Sequence, residues 1–308
     1  MVLKNLKGRH LLSDFDLNAE EYLEVLDLAQ KMKSGKVKKK LTNKSLIMLF
    51  QKPSTRTRLS FEIGMTRLGG HAVFVDISTT QLGRGETIAD TARVMARYAD
   101  IIMARLNSQK DLEEIARYSK VPVINALTDM FHPCQVMADL LTVKEKKGKI
   151  AGLKIAFLGD CGFNMFNSTA IAFSKLGADV YGGCPNKPEY RIKQEILERA
   201  LKDAKGKIVL TEDPIEAVKD ADVVMTDTWV SMGQKDEEKR IKDLSPYQVN
   251  PELMKHAKPD AIFMHCLPAH RGHEVVDEVA DSEQSVIFDQ AENRLHAQNA
   301  IMVALLGE

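Results

Sequence analysis

Short apolar runs alternate with longer amphipathic stretches along the whole of this chain. In the first half, residues 45–50, 71–76, 100–104 and 121–126 are brief runs rich in Ile, Val, Leu and Met, too short for typical helices. They read as strands. Residues 18–32, 58–68, 88–98 and 111–118 repeat apolar positions at three- and four-residue spacing and read as helices. A further helical pattern covers residues 134–147 and ends in Lys144-Glu145-Lys146-Lys147-Gly148. Lysines in a last turn with glycine beyond them are a stop signal, and a domain boundary is expected there. The second half restarts with an apolar run at 153–160. Strands are expected again at 178–182, 207–210, 222–227, 261–266 and 285–288, followed by a closing amphipathic run at 291–306.

Strands separated by helical stretches mean βαβ units and mostly parallel sheets. At 308 residues the chain is longer than one hydrophobic core usually serves. The expected architecture is therefore α/β, with two doubly wound domains. The first spans residues 1–148, with a C-terminal helix at 290–308 returning to it; the second spans 149–289.

Composition narrows the class of partner. With 44% hydrophobic and 28% charged residues the chain is ordinary for a globular protein. Its formal net charge of zero gives no electrostatic reason for nucleic acid or an anionic membrane as partner. The basic run Lys36-Val37-Lys38-Lys39-Lys40 reads as a solvated loop. No continuous apolar window is long enough to span a membrane. Cys134, Cys161, Cys184 and Cys266 stand far apart without a Cys-x-x-Cys, which suits a reducing compartment. The first residues carry neither a signal core nor a transit-peptide pattern, so a cytoplasmic location is expected.

Polar clusters follow the expected strands. Pro53-Ser54-Thr55-Arg56-Thr57-Arg58 lies between the run at 45–50 and a helix. Hydroxyls, guanidiniums and the free N–H groups of a helix start suit a phosphate or carboxylate, although the same residues would also make an N-cap with solvated arginines. Arg105 ends the next apolar run but one; His132-Pro133-Cys134-Gln135 and His265-Cys266-Leu267-Pro268 follow two others. In open α/β sheets ligands bind beyond the carboxyl ends of strands, so four clusters in that place point to one site. Taken singly, His132 would read as a satisfied loop histidine and Cys266 as core filler.

Two cofactor patterns fail on inspection. Gly159-Asp160-Cys161-Gly162-Phe163-Asn164 sits where a dinucleotide fingerprint would lie, but the third glycine is missing and Phe163 is bulky. Asn164 is better suited to a ligand's carboxylate or amine. His265, Cys266, His270 and His273 offer metal donors, but adjacent Cys and His rarely face one ion and Pro268 breaks any helix that would align the rest. No metal and no cofactor are expected. Asp227-Thr228-Trp229-Val230-Ser231-Met232-Gly233 follows another strand, and its aspartate can pair with an ammonium group.

Taken together, these segments resemble the aspartate/ornithine transcarbamylase family over essentially the whole chain. Ser54-Thr55-Arg56-Thr57-Arg58 is similar to its carbamoyl phosphate motif, and His132-Pro133-Cys134-Gln135 to its carbonyl-binding turn. His265-Cys266-Leu267-Pro268 and Asp227-x-x-x-Ser231-Met232-Gly233 resemble the ornithine-specific branch. Cys161-Gly162-Phe163 departs from the polar residues usual before Asn164. The resemblance implies transfer of a carbamoyl group from carbamoyl phosphate to L-ornithine, giving citrulline and phosphate, by a homotrimer or a multiple of trimers. It implies carbamoyl phosphate contacts from Ser54, Thr55, Arg56, Thr57, Gln81, Arg105, His132, Pro133, Cys134, Gln135, Cys266, Leu267 and Arg294, with Gln81 completing a neighbour's site. It implies ornithine contacts from Asn164, Asp227, Ser231 and Met232, and catalytic roles for Arg105, His132, Cys266 and Asp227.

Overall fold

The computed structural model describes residues 2–230 and 236–307. In chain order, helix α1 (Ala19–Lys33), strand β1 (Ser45–Phe50), α2 (Thr55–Arg67), β2 (His71–Asp76), α3 (Ile88–Tyr98), β3 (Ile101–Arg105), α4 (Gln109–Tyr118), β4 (Val123–Leu127) and α5 (Pro133–Lys147) make the first half. The second half runs β5 (Lys154–Leu158), α6 (Asn164–Lys175), β6 (Asp179–Gly183), α7 (Gln194–Asp203), β7 (Ile208–Thr211), α8 (Pro214–Val218), β8 (Val223–Thr226), α9 (Glu237–Leu244), α10 (Pro251–Met254), β9 (Ile262–His265), α11 (Asp277–Ala280) and α12 (Ile287–Leu306).

Two parallel sheets result. One has four strands in the order β2-β1-β3-β4; the other has five in the order β7-β6-β5-β8-β9. The chain divides into two compact units, residues 1–141 with 292–308, and residues 142–291. Central strands are buried almost throughout because helices cover both faces, whereas the edge strand β2 has no fully buried residue. Packed against one face of the first sheet, Ile47, Leu49 and Ile102 meet Ala92, Leu112 and Ile115 from α3 and α4. In the second unit Leu158, Val224 and Phe263 share a core with Trp229, Leu244 and Tyr247. The late part of α12 belongs to the first unit: Gly8 N donates to Leu305 O at 2.8 Å, and Lys33 Nζ reaches Asn293 Oδ1 at 2.8 Å. Among the described residues no helix is long and apolar enough to cross a membrane.

Helix starts follow local chemistry. Asn18 and Glu21 form a reciprocal capping box at α1. Helix α2 begins at Thr55 instead of 58, because Ser54 Oγ accepts from Thr57 N and draws the Thr-Arg-Thr-Arg segment into the first turn. The strand expected at 285–288 is a correction. Ser285 makes one isolated bridge to Phe263, and α12 already begins at Ile287, leaving Phe288 70% exposed. A short run of bulky apolar residues suits either a strand or a first helical turn, and here a twenty-residue helix takes it up.

Candidate active site

In the first unit the polar clusters lie beyond the carboxyl ends of β1, β3 and β4. Ser54 caps α2, its Oγ lying 3.1 Å from Thr57 Oγ1, and Thr57 is buried while Thr55 is exposed. The first-turn N–H groups of this thirteen-residue helix favour an anion. Arg58 is turned elsewhere, bonding Glu62 at 3.1 Å and lying 3.9 Å above the Phe74 ring. Arg105 ends β3 opposite Phe50 of β1, at a register shift where it is only 8% exposed. Gln81 is exposed, between β2 and α3.

His132 is buried in the turn after β4, and Pro133 opens α5 at the position where a missing N–H costs nothing. Ahead of it, Thr128 Oγ1 donates to Gln109 at 2.7 Å and Asn125 Nδ2 to Leu12 O at 2.7 Å, which braces the turn. Cys134 points into the core, its thiol donating to Asn125 O at 3.3 Å, and burial pushes its pKa up to about 12.

Arg294 of α12 joins three helices of this unit. Its Nη1 donates to Gln135 Oε1 at 2.6 Å, its Nη2 to Thr57 Oγ1 at 3.2 Å and its Nε to Gln298 Oε1 at 2.9 Å. Gln135 in turn donates to Asp139 Oδ1 at 2.9 Å. Burial, and then the cations of Arg294 and Arg105, hold the His132 imidazole well below its ordinary range. The ring is therefore neutral at neutral pH and offers a single N–H. An unfolded histidine takes its proton near pH 6.5, so this group's contribution to stability is complete above that pH and is lost as pH falls below it. Replacing Arg294 by Met removes one opposing cation, and the His132 titration should move upward, which imidazole ¹⁵N shifts followed against pH will read. Lys52, unnoticed in the sequence, is a further cation here; burial and Arg105 lower its pKa.

In the second unit the candidates lie beyond β5, β8 and β9. Cys266 Sγ donates to Asp227 Oδ1 at 3.1 Å, and Thr228 N donates to the same oxygen at 2.7 Å. Burial raises the Asp227 pKa, opposed by His265 and by these two hydrogen bonds. His265 Nδ1 accepts from Leu267 N at 2.8 Å, which places the ring proton on Nε2, facing Glu274 Oε1 at 3.1 Å. Donor atoms of Asp227, His265 and Cys266 lie within 4.8 Å of one another, as a metal would need. With both ring nitrogens of His265 already bonded, however, that set offers a cation only a carboxylate and a thiol. Leu267 has φ 58°, a left-handed conformation costly for leucine, which the bond from its own N–H to His265 helps to hold.

Asn164 is the first residue of α6 and is buried. Gly159 before it has φ 115°, and a Cβ there would come within 3.1 Å of Trp229 Nε1, so the glycine serves the close approach of the indole. Ser231 and Met232 lie outside the described residues.

Arg240 of α9 was not singled out in the sequence, yet it ties two of these turns together. Its Nε donates to Trp229 O at 2.9 Å and its Nη2 pairs with Asp160, whose other oxygen accepts from Gly162 N at 2.8 Å. Breaking a buried ion pair leaves an uncompensated charge, so Arg240→Ala should cost about 3–5 kcal/mol, read as a lowered Cm in urea.

Comparison with known proteins gives this chemistry a family. Residues 9–145 match the carbamoyl-P binding domain, and residues 151–305 the Asp/Orn binding domain, of aspartate/ornithine carbamoyltransferase. An ornithine carbamoyltransferase from Pyrococcus abyssi is 52% identical over 99% of this chain and 98% of its own length. An anabolic one from Pyrococcus furiosus is 52% identical over 99% of each. The solved structure of ornithine carbamoyltransferase from Pyrococcus furiosus superposes with a TM-score of 0.92, covering 98% of both chains. The corresponding Campylobacter jejuni structure, 42% identical and covering 96% of this chain and 97% of its own, gives 0.89. Matched from end to end in sequence and in both sheets, the chain belongs to the aspartate/ornithine carbamoyltransferase family.

Proposed function

We propose that this protein is an ornithine carbamoyltransferase, joining the δ-nitrogen of L-ornithine to the carbamoyl group of carbamoyl phosphate. The observation that carries this reading is the buried set of Thr57, Gln135 and Arg294, beside a neutral His132 and next to the Ser54-capped start of α2. Residues 1–148 with 290–308 are assigned to carbamoyl phosphate, and residues 149–289 to ornithine.

The chemistry follows from the groups available. The free amine attacks the carbamoyl carbon, an N–C bond forms, and negative charge gathers on the carbonyl oxygen. Thr57, Arg105 and His132 donate to that oxygen, and a neutral imidazole can do so without adding a third buried positive charge. The bond from the carbamoyl carbon to the bridging oxygen then breaks and phosphate leaves with that oxygen and the electron pair, held by Ser54, Thr55, Arg56, Thr57, Arg105 and Arg294. Gln135 accepts from the carbamoyl N–H₂, and the turn carrying Pro133 and Cys134 keeps it in place. Asn164, Asp227, Ser231 and Met232 hold ornithine. Asp227, with the Cys266 thiol hydrogen-bonded to it, orients the δ-amine and takes up its proton, and the backbone carbonyls near Cys266 and Leu267 are assigned to the carbamoyl N–H₂. Positioning and charge stabilisation suffice for this displacement.

Leu59 and Ile63 on α2, Val73 on the edge strand β2, and Val94 and Tyr98 on α3 are exposed apolar side chains of the first unit. They support burial against further copies of this chain, with a trimer, or a multiple of it, as the working state and Gln81 serving a neighbour. Ile63→Asp should move the protein toward the monomer in light scattering and lower kcat with it.

The decisive experiment is citrulline formation from carbamoyl phosphate with L-ornithine, run beside L-aspartate and putrescine. Turnover with ornithine alone is expected. Preference for another amine would overturn the assignment of Asn164 and Asp227 while leaving that of the first unit.

A further inference from the structure

Gln298 lies one helical turn beyond Arg294 on α12 and is fully buried. The two ends of its side-chain amide are used in opposite directions. The Oε1 accepts from Arg294 Nε at 2.9 Å, and the Nε2 donates to Ser60 Oγ at 2.8 Å. Ser60 passes the chain on, its hydroxyl donating at 2.7 Å to the carbonyl of Arg56 in the first turn of α2. Arg294 is thereby gripped on the Nε side by a neutral group anchored to the very helix whose start faces the anion. Its two Nη groups are directed at Gln135 and Thr57.

The choice of an amide has a physical reason. A guanidinium needs acceptors around it to be held in one orientation, and carboxylate is the commonest one. A carboxylate at 298 would also cancel the positive charge that a phosphate needs, and it could not donate to Ser60. An aliphatic side chain would leave the Nε–H of a buried arginine without this acceptor. Glutamine supplies orientation on one side, anchorage on the other, and no charge.

We propose that Gln298 is a positioning residue for carbamoyl phosphate, aiming the Arg294 guanidinium from a neutral anchor on Ser60. This rests on the reading that the first unit holds carbamoyl phosphate. It concerns affinity for the phosphate substrate and leaves the ornithine residues untouched.

Steady-state kinetics and calorimetric titration with carbamoyl phosphate, on the full-length wild-type protein and three variants, test it. Gln298→Leu keeps the volume and loses both bonds; the KM for carbamoyl phosphate should rise about tenfold, the size of one charge-assisted hydrogen bond. Gln298→Glu keeps the acceptor but adds a charge, and should raise the same KM further, to about a hundredfold, with a steeper dependence on added salt. Ser60→Ala, the mildest change, should move it a few-fold in the same direction. The KM for ornithine should stay within about twofold throughout, because a lost ground-state contact shows in the substrate that makes it. Folded variants whose KM for carbamoyl phosphate matches wild type would overturn the inference alone. So would a parallel rise in both KM values accompanied by a lowered Tm, which a packing role predicts. A wild-type protein that neither binds carbamoyl phosphate nor forms citrulline would overturn the underlying reading, and the inference with it.

Discussion

Arg105→Ala should lower kcat/KM for carbamoyl phosphate by about 10³ or more, the largest effect expected of any single side chain here. Removing one donor to a developing oxyanion typically costs about 10²–10³ in rate, and Arg105 is assigned both to that oxygen and to the phosphate. Its guanidinium is nearly buried at the end of β3, where lower dielectric makes a charge worth more than at the surface. Arg105→Lys restores the charge without the planar fork and should recover only part of the loss. The two variants also separate causes. If charge alone mattered, lysine would restore wild-type rates; if Arg105 merely packed the end of the strand, both would lose stability instead of rate. Rates within tenfold of wild type in a folded Arg105→Ala protein would remove Arg105 from the mechanism.

Asp227→Asn should be nearly as severe, on the other reactant. Positioned acid–base groups typically contribute about 10²–10⁴ in rate, and Asp227 is assigned to the δ-amine with Cys266 bonded to it at 3.1 Å. Burial raises its pKa above the usual carboxylate range, so the carboxylate is lost on acidification earlier than an exposed aspartate would be. The sign follows directly. Activity with ornithine should fall as pH drops through the raised Asp227 value, and it should climb on the alkaline side as more ornithine amine is unprotonated. Asparagine cannot titrate, so the variant should be slow at every pH and should lose the acidic limb due to this group. An unchanged limb in kcat/KM for ornithine would assign it to another residue.

Much of the first unit's candidate site is readable locally. Ser54 caps α2 through its own next turn, and Arg105 and His132 stand where apolar runs stop. Each of these depends on a few neighbouring residues, which a periodic reading detects. The same method could not decide residues 285–288, where Val286, Ile287 and Phe288 suit a strand or a helix equally until the length of α12 settles it.

Contacts between distant segments escaped it altogether. Arg294 and Gln135 are 159 residues apart, and Arg240 and Asp160 are 80 apart. An arginine and a glutamine four residues apart on α12 look like any solvated helical pair. They become an anchored cation only because α2 and α5 bury them. The sequence alone determined the alternation of strands and helices, the two parallel sheets, and the residue types that follow each strand, since backbone sterics and apolar periodicity act over short distances. Tertiary structure alone decided which of those polar groups come together within each unit, and burial gives His132 its neutrality in the first, Asp227 its raised pKa in the second, and Gln298 its hold on Arg294 in the first.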